Sequence, residues 1–196
     1  MIKKIKVGIF IFNDVEVLDF AGPFEVFSLA TKNNISIFEV FTISEKEEMI
    51  NAKNGLKVKS NFSFNDNFEI NILIIPGGYG AEKFEIKNKT VLSWIIEQSK
   101  KVDILASVCT GALLLAECGI LRNKKATTHW MGLDRLENDY SDIDVIRNVK
   151  YVDEGKILTS GGISAGINMS FHIIKRLFGM DIAKVTAKRM EYDIDI

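Results

Sequence analysis

In the stretch Val102-Asp-Ile-Leu-Ala-Ser-Val-Cys109-Thr-Gly-Ala-Leu-Leu-Leu-Ala116, a nearly unbroken apolar run passes directly into good helix formers. A parallel strand that is buried on both faces has this apolar character, so the run predicts a strand that ends at Cys109. The residues from Thr110 onward predict a helix. The sulfur would then lie beside unpaired helix amides, whose partial positive charge favours thiolate over thiol. The stretch therefore predicts a reactive cysteine between a strand and a helix.

Similar apolar segments recur along the chain, with helix-like stretches between most of them. This alternation is typical of an α/β fold with a mostly parallel sheet that is covered by helices. The alternation around Leu56 predicts a small antiparallel excursion rather than a linker, so we expect one domain over residues 1–196. The apolar segments are Lys6–Phe12, Ile35–Ile43, Ile72–Ile75, Val102–Val108 and Lys156–Ser160.

Further helices follow from capping residues and from apolar spacing. Pro23 is favoured at a first helical position, which predicts that the first helix begins there and leaves Asp19 in the preceding loop. Apolar residues at helical spacing predict helices over 88–101 and 164–178. We expect a short last helix that begins at Asp181.

Composition limits the partners that the chain can take. The 25 Lys and Arg residues balance 26 Asp and Glu residues, so no charge excess would drive binding to nucleic acid or to an anionic membrane. We expect a small-molecule partner instead. No run approaches the ~18 apolar residues of a membrane span, and no cleavage pattern follows the first apolar run, so we expect a cytoplasmic protein. Cys109 and Cys118 match neither a disulfide framework nor a zinc site, and we expect free thiols and no metal.

Four glycine-containing loops follow the predicted strands, and ligands of an open α/β sheet bind beyond the carboxyl ends of its strands. Glycines permit close backbone approach, and their amides can face a developing negative charge, so the loops predict an oxyanion site. Asp19 would add a carboxyl group that can exchange a proton with a thiol. The loops are Leu18–Pro23, Pro76–Gly80, Cys109–Gly111 and Ser160–Gly166.

Five motifs in these regions form a combined pattern: Leu18-Asp-Phe-Ala-Gly-Pro-Phe-Glu-Val-Phe27, Ile75-Pro-Gly-Gly78, Ser107-Val-Cys-Thr-Gly-Ala112, Ala126-Thr-Thr-His-Trp130 and Thr159-Ser-Gly-Gly-Ile-Ser-Ala-Gly166. Over nearly the whole chain the pattern resembles the DJ-1/PfpI superfamily, and it is most similar to the isonitrile hydratase branch. The resemblance implies a flavodoxin-like three-layer sandwich and a homodimer. The branch shares its pattern with ligand-sensing domains of AraC-type regulators. Those continue into a helix-turn-helix region, whereas this sequence stops at Ile196, so we expect no nucleic-acid partner.

The resemblance implies a role for each matching position. Cys109 would be the nucleophile and Asp19 its proton-exchanging partner, with Thr110 directly after the nucleophile. The thiolate would add to the terminal carbon of an isonitrile, the carbon would be protonated, and water would hydrolyse the thioimidate to an N-substituted formamide. The resemblance implies neither a metal nor an organic cofactor. The implied anion pocket consists of the amides of Gly78 and Thr110, and the implied walls near the thiol are Gly161, Gly162 and Ile163.

The chain departs from other branches of the superfamily at informative positions. PfpI-like peptidases place a histidine directly after the cysteine, where this chain has Thr110. Class I glutaminases use a His-x-Glu pair, whereas His172 is followed by two isoleucines. Both activities are therefore disfavoured. DJ-1-like glyoxalases resemble the chain around Cys109 and His129 but use a glutamate where Asp19 aligns, so aldehyde chemistry is an alternative, and we expect His129 in the pocket wall.

Each candidate also has an ordinary structural interpretation. A cysteine after an apolar strand is often a packed core residue, and this is the role that we expect for Cys118. Asp19 can be a turn aspartate that binds its own loop. Glu25 is explained by the electrostatics of a helix start, and Glu16 by exposure to solvent. An alternative of another class is a non-catalytic sensor, in which an exposed Cys109 of low pKa is oxidised or binds a ligand.

Overall fold

The computed structural model describes residues 3–46 and 48–194, so the two ends of the predicted domain, residues 1 and 196, lie outside this part of the chain. The helices are α1 (Val17–Leu29), α2 (Tyr79–Lys83), α3 (Lys89–Lys101), α4 (Gly111–Glu117), α5 (Leu133–Asp139), α6 (Ala165–Phe178) and α7 (Met180–Arg189). The strands are β1 (Ile5–Phe10), β2 (Thr31–Lys32), β3 (Ile35–Ser36), β4 (Phe38–Ser44), β5 (Met49–Asn51), β6 (Lys57–Lys59), β7 (Phe62–Ser63), β8 (Ile72–Ile75), β9 (Ile104–Ser107), β10 (Lys125–Ala126), β11 (Asp144–Val145), β12 (Tyr151–Glu154) and β13 (Ile157–Ser160).

The central sheet of the described residues has the strand order β12-β13-β9-β8-β1-β4-β7, and every pair except β12–β13 is parallel. Helices α1, α6 and α7 pack together as one layer, and α3 packs with α4 as another. The chain leaves β1 for β4 on one side and continues to β8 on the other. The loops after β1 and β8 therefore flank the point where the strand order reverses, which is where open α/β sheets bind ligands. The predicted α/β class is confirmed.

Several predicted elements are found with small changes of length. Within the apolar run 102–108, Ile104–Ser107 form β9, and all four residues are buried. Asn88 caps α3, because its side chain accepts from the N–H groups of Thr90 and Val91. The antiparallel excursion is the β5–β6 pair, with Ile50 opposite Val58. The sequence did not predict the short elements β11, α2 and α5 or the edge strand β12. Within the described residues, no helix is long and apolar enough to cross a bilayer.

The predicted start of the first helix is wrong. Helix α1 begins at Val17 and continues through Pro23, so Asp19 lies in its first turn and not in a loop. Proline inside a helix removes one backbone hydrogen bond, but packing compensates here. Gly22 and Pro23 are both buried, and a Cβ at Gly22 would lie 2.9 Å from Ile167 of α6. The close approach of two helices therefore outweighs the local preference of proline for a helix start.

Candidate active site

Cys109 lies in the turn between β9 and α4, and its φ angle is +56°. Left-handed backbone is costly for a residue other than glycine, and tertiary hydrogen bonds hold it here. The Cys109 N–H donates to the Gly161 oxygen at 3.1 Å, and the Thr128 hydroxyl donates to the Cys109 oxygen at 2.7 Å. The turn also needs Gly111, since a Cβ there would lie 2.1 Å from the Ile75 oxygen. The position of the cysteine is therefore fixed by both neighbouring strands.

A second residue beside the thiol, Ile163, has a φ angle of +51°. This conformation is unusual for a β-branched side chain. The N–H groups of Ile163 and Thr110 lie near the Cys109 sulfur and favour its charged form. These two amides can stabilise negative charge on the sulfur or on an atom bonded to it.

Asp19 reaches the same place from the first turn of α1, and its side chain is completely buried. Its Oδ2 accepts a hydrogen bond from the Gly77 N–H at 3.0 Å. The Cys109 thiol lies close enough to the carboxyl for each group to shift the pKa of the other. The other oxygen, Oδ1, is buried and has no hydrogen-bond partner within the described residues. The structure thus brings the predicted thiol and carboxyl into one buried pair.

Burial sets the protonation of the pair. It raises the pKa of the Asp19 carboxyl to about 7. The negative charge of Glu16 also raises this pKa, whereas the hydrogen bond from the Gly77 N–H lowers it. Burial also raises the pKa of the Cys109 thiol to about 12, and the Asp19 charge adds to the rise. The amides of Thr110 and Ile163 act in the opposite direction without reversing it.

The expectation of an exposed thiol with a low pKa is therefore wrong. Cys109 is 6% exposed, and α4 is seven residues long, so loss of hydration outweighs the helix amides. The resting pair consists of a neutral thiol and a carboxyl that is partly protonated near pH 7.

Thr110 joins this turn to the loop after β8. Its Oγ1 accepts a hydrogen bond from the Gly78 N–H at 3.0 Å, and a Cβ on Gly77 would lie 2.5 Å from the Thr110 nitrogen. Of the two amides in the implied anion pocket, that of Gly78 is therefore engaged by the Thr110 side chain in this structure. The amide that joins that of Thr110 at the sulfur comes from Ile163.

The residues implied as walls line one cavity of about 420 Å³, which includes His129, Gly161, Gly162 and Ile163. The His129 ring packs on the Gly162 backbone, since a Cβ there would lie 2.0 Å from His129 Cδ2. His129 Nδ1 accepts a hydrogen bond from the Met131 N–H at 3.3 Å. The bond from Cys109 to Gly161 connects this wall to the nucleophile turn.

The expectation that Glu16 is exposed to solvent is wrong. Its side chain is 18% exposed, and its Oε2 lies 2.7 Å from Lys53 Nζ. Lys53 comes from the turn between β5 and β6, and no sequence pattern links it to Glu16. Cys118 is half-buried and donates to the Leu92 oxygen at 3.6 Å, in agreement with a packing role. No cluster of side chains suited to a metal ion occurs in residues 3–46 and 48–194.

Comparison with known proteins identifies the family. The sequence pattern of the DJ-1/PfpI family matches residues 5–176. The chain belongs to the DJ-1/PfpI family. This DJ-1/PfpI protein is 31% identical over 188 residues to isonitrile hydratase from Pseudomonas putida, which covers 96% of the chain and 78% of that enzyme.

Another relative of this DJ-1/PfpI protein is the HTH-type transcriptional regulator CdhR of Pseudomonas aeruginosa. The two are 23% identical over 167 residues, which cover 85% of the chain but 49% of the regulator, so the chain spans about half of its length. Among solved structures, a ThiJ/PfpI family protein from Pseudomonas syringae superposes with a TM-score of 0.87 at 21% identity, over 100% of this chain and 78% of that one. At that identity the likeness establishes the fold. The family thus contains both enzymes and regulators.

Proposed function

We propose that the protein is a cysteine-dependent hydratase that adds water to a small isonitrile and releases an N-substituted formamide. The observation that carries the proposal is the contact between the Cys109 thiol and the Asp19 carboxyl, which combines a nucleophile and a proton carrier in one buried pair. The similarity to Pseudomonas putida isonitrile hydratase over 96% of the chain supports the choice of electrophile.

The first step uses both groups of the pair. An isonitrile, R–N≡C, forms one new bond to sulfur and one to hydrogen at its terminal carbon. Asp19 accepts the proton as the S–H bond of Cys109 breaks, the sulfur attacks the carbon, and Asp19 returns the proton to that carbon. The product is a thioimidate, R–N=CH–S–Cys109. A carboxyl whose pKa is about 7 suits this task, because it can both accept and release a proton at neutral pH.

Water completes the reaction. It adds to the thioimidate carbon while the nitrogen is protonated, and the C–S bond then breaks as the new C=O bond forms. The sulfur leaves with the electron pair and recovers its proton from the hydroxyl group through Asp19. The amides of Thr110 and Ile163 face that sulfur and lower the cost of charge on it. The sum is R–NC + H₂O → R–NH–CHO, which balances without an oxidant, a reductant or a cofactor.

A redox or ligand sensor is the second candidate. The same two amides could hold the oxygens of an oxidised Cys109, and the similarity to CdhR adds a regulatory precedent. Oxidation starts from a thiolate that is already formed, which the raised pKa of Cys109 disfavours, whereas the proposed hydratase removes the thiol proton to Asp19 during the attack, so this candidate ranks below the hydratase. Aldehyde chemistry of the glyoxalase type comes third, since Asp19 is shorter than the glutamate of those relatives.

We also propose that the protein works as a cytoplasmic homodimer on a small molecule. Unpaired cysteines such as Cys109 and Cys118 are typical of a reducing compartment, and symmetric dimers are the commonest soluble oligomers. Light scattering at micromolar concentration should give the mass of a dimer, and a monomer mass would contradict this part of the proposal.

The activity is tested by following formamide production from cyclohexyl isonitrile. We expect turnover by the wild type and by Cys118→Ala, the matched control for a second thiol, and no turnover by Cys109→Ala. Absence of turnover by the wild type, or equal turnover by Cys109→Ala, would overturn the proposed activity.

A further inference from the structure

The β5–β6 hairpin carries a charged residue to the loop in front of α1. The Asp14 N–H donates to the Asn51 oxygen at 2.8 Å, and the Lys53 N–H donates to the Val15 oxygen at 3.0 Å. The Asn51 N–H donates in addition to Asn13 Oδ1 at 2.8 Å. These bonds fix the hairpin turn against the loop, so the position of Lys53 is defined although its side chain is 49% exposed.

Lys53 forms an ion pair with Glu16, the residue that directly precedes α1. The Glu16 N–H donates to the Gly77 oxygen at 3.0 Å, and the Gly77 N–H donates to Asp19 Oδ2 at 3.0 Å. Glu16 also lies three residues before Asp19, which places both on neighbouring turns of one helix end. The ion pair is thus connected to the buried carboxyl through α1 and through the loop after β8.

We propose that Glu16 and Lys53, held as an ion pair beside the start of α1, act on the Asp19 carboxyl through their opposite charges, with Glu16 as a positioning residue. This inference rests on the proton-carrying role proposed above for Asp19. The Glu16 charge raises the pKa of Asp19 and the Lys53 charge lowers it. Besides these two side chains, the titratable group that acts on the carboxyl is the Cys109 thiol.

The two opposite charges keep both the protonated and the ionised form of Asp19 available for the proposed reaction. Glu16 opposes ionisation of Asp19, so that a fraction of the carboxyl retains a proton for the isonitrile carbon. Lys53 limits this effect, so that Asp19 can still accept the proton of the thiol. Neither side chain needs to touch the substrate for this role, so Glu16 and Lys53 are not catalytic residues.

Two variants distinguish a charge effect from a structural one. Glu16→Gln and Lys53→Met break the same ion pair but remove charges of opposite sign. The probe is NMR titration of ¹³C-labelled aspartate carboxyl groups, with the Asp19 signal assigned by its loss in Asp19→Asn. We expect Glu16→Gln to lower the Asp19 midpoint and Lys53→Met to raise it, each by more than ~0.3 pH units, which is about a twofold change in proton affinity.

Controls make the result independent of turnover. The double variant should titrate near the wild-type midpoint, and Glu25→Gln, which removes an exposed charge from the same helix, should leave it unchanged. Shifts of both single variants in one direction, or no shift in either, would overturn the inference. If the opposite shifts occur while the wild type does not hydrate isonitriles, the charge relationship holds and the proposed activity alone fails.

Discussion

Asp19 raises the pKa of Cys109, and the thiol of Cys109 lowers the pKa of Asp19, because the two groups lie together in the protein interior. The protons of the two groups are therefore coupled, and the pair titrates as a unit. Any change to one group should be visible in the chemistry of the other.

The first prediction concerns thiol reactivity in Asp19→Asn. Removal of the carboxylate lowers the pKa of Cys109, so alkylation by iodoacetamide at pH 8 should accelerate by about threefold or more, because each pKa unit changes the thiolate fraction tenfold. Isonitrile turnover should fall in the same variant. Peptide mass spectrometry measures both cysteines at once, and Cys118 should react at its wild-type rate. Slower alkylation of Cys109 in Asp19→Asn would contradict the coupling.

The second prediction concerns stability against pH. Folding raises the pKa of the Asp19 acid from 3.8 to about 7, so its stabilising contribution is present at low pH and is lost as the pH rises towards 7. Between pH 5 and pH 8 the wild type should lose about 2 kcal/mol of unfolding free energy relative to Asp19→Asn. Urea denaturation at both pH values measures this. Glu25→Gln, at an exposed position of α1, is the control, and parallel curves for wild type and Asp19→Asn would refute the raised pKa.

The third prediction uses two adjacent glycines in the cavity wall. A Cβ at Gly162 would lie 2.0 Å from His129 Cδ2, whereas a Cβ at Gly161 would have its nearest neighbour at 3.6 Å. Gly162→Ala should therefore cost about 1–2 kcal/mol of stability and displace His129, and Gly161→Ala should cost less than about 0.5 kcal/mol. Thermal denaturation compares the two. His129→Ala in the Gly162→Ala background should recover stability. An equal loss of unfolding free energy in the two glycine variants would contradict the packing of the His129 ring on Gly162.

Much of the fold could be predicted from the sequence because buried parallel strands are nearly continuous apolar runs. The turn at Cys109 follows from such a run and from the helix formers after it. The start of α1 could not be predicted, because the packing of Gly22 against Ile167 decides it and lies outside local sequence rules. The edge strand β12 is only half-buried and lacks the apolar signal of the inner strands.

The candidate site was less predictable than the fold. The amides at the start of α4 predict a lowered pKa for the Cys109 thiol. Burial removes water from the thiol and raises its pKa, and this effect is the larger one. The left-handed backbone of Ile163 has no sequence signature, since isoleucine rarely adopts it. The pairing of Glu16 with Lys53 depends on the docking of the β5–β6 hairpin, which is a tertiary contact.

The central claim is that Cys109 forms a covalent bond to the isonitrile carbon. Mass spectrometry of protein quenched during turnover of cyclohexyl isonitrile tests it most directly. After cleavage on the carboxyl side of Glu117, which separates the two cysteines, we predict one adduct with the mass of the added isonitrile on the peptide that contains Cys109, none on the peptide of Cys118, and loss of the adduct in Cys109→Ala. Formamide release by the wild type without an adduct at Cys109, together with undiminished release by Cys109→Ala, would contradict the account.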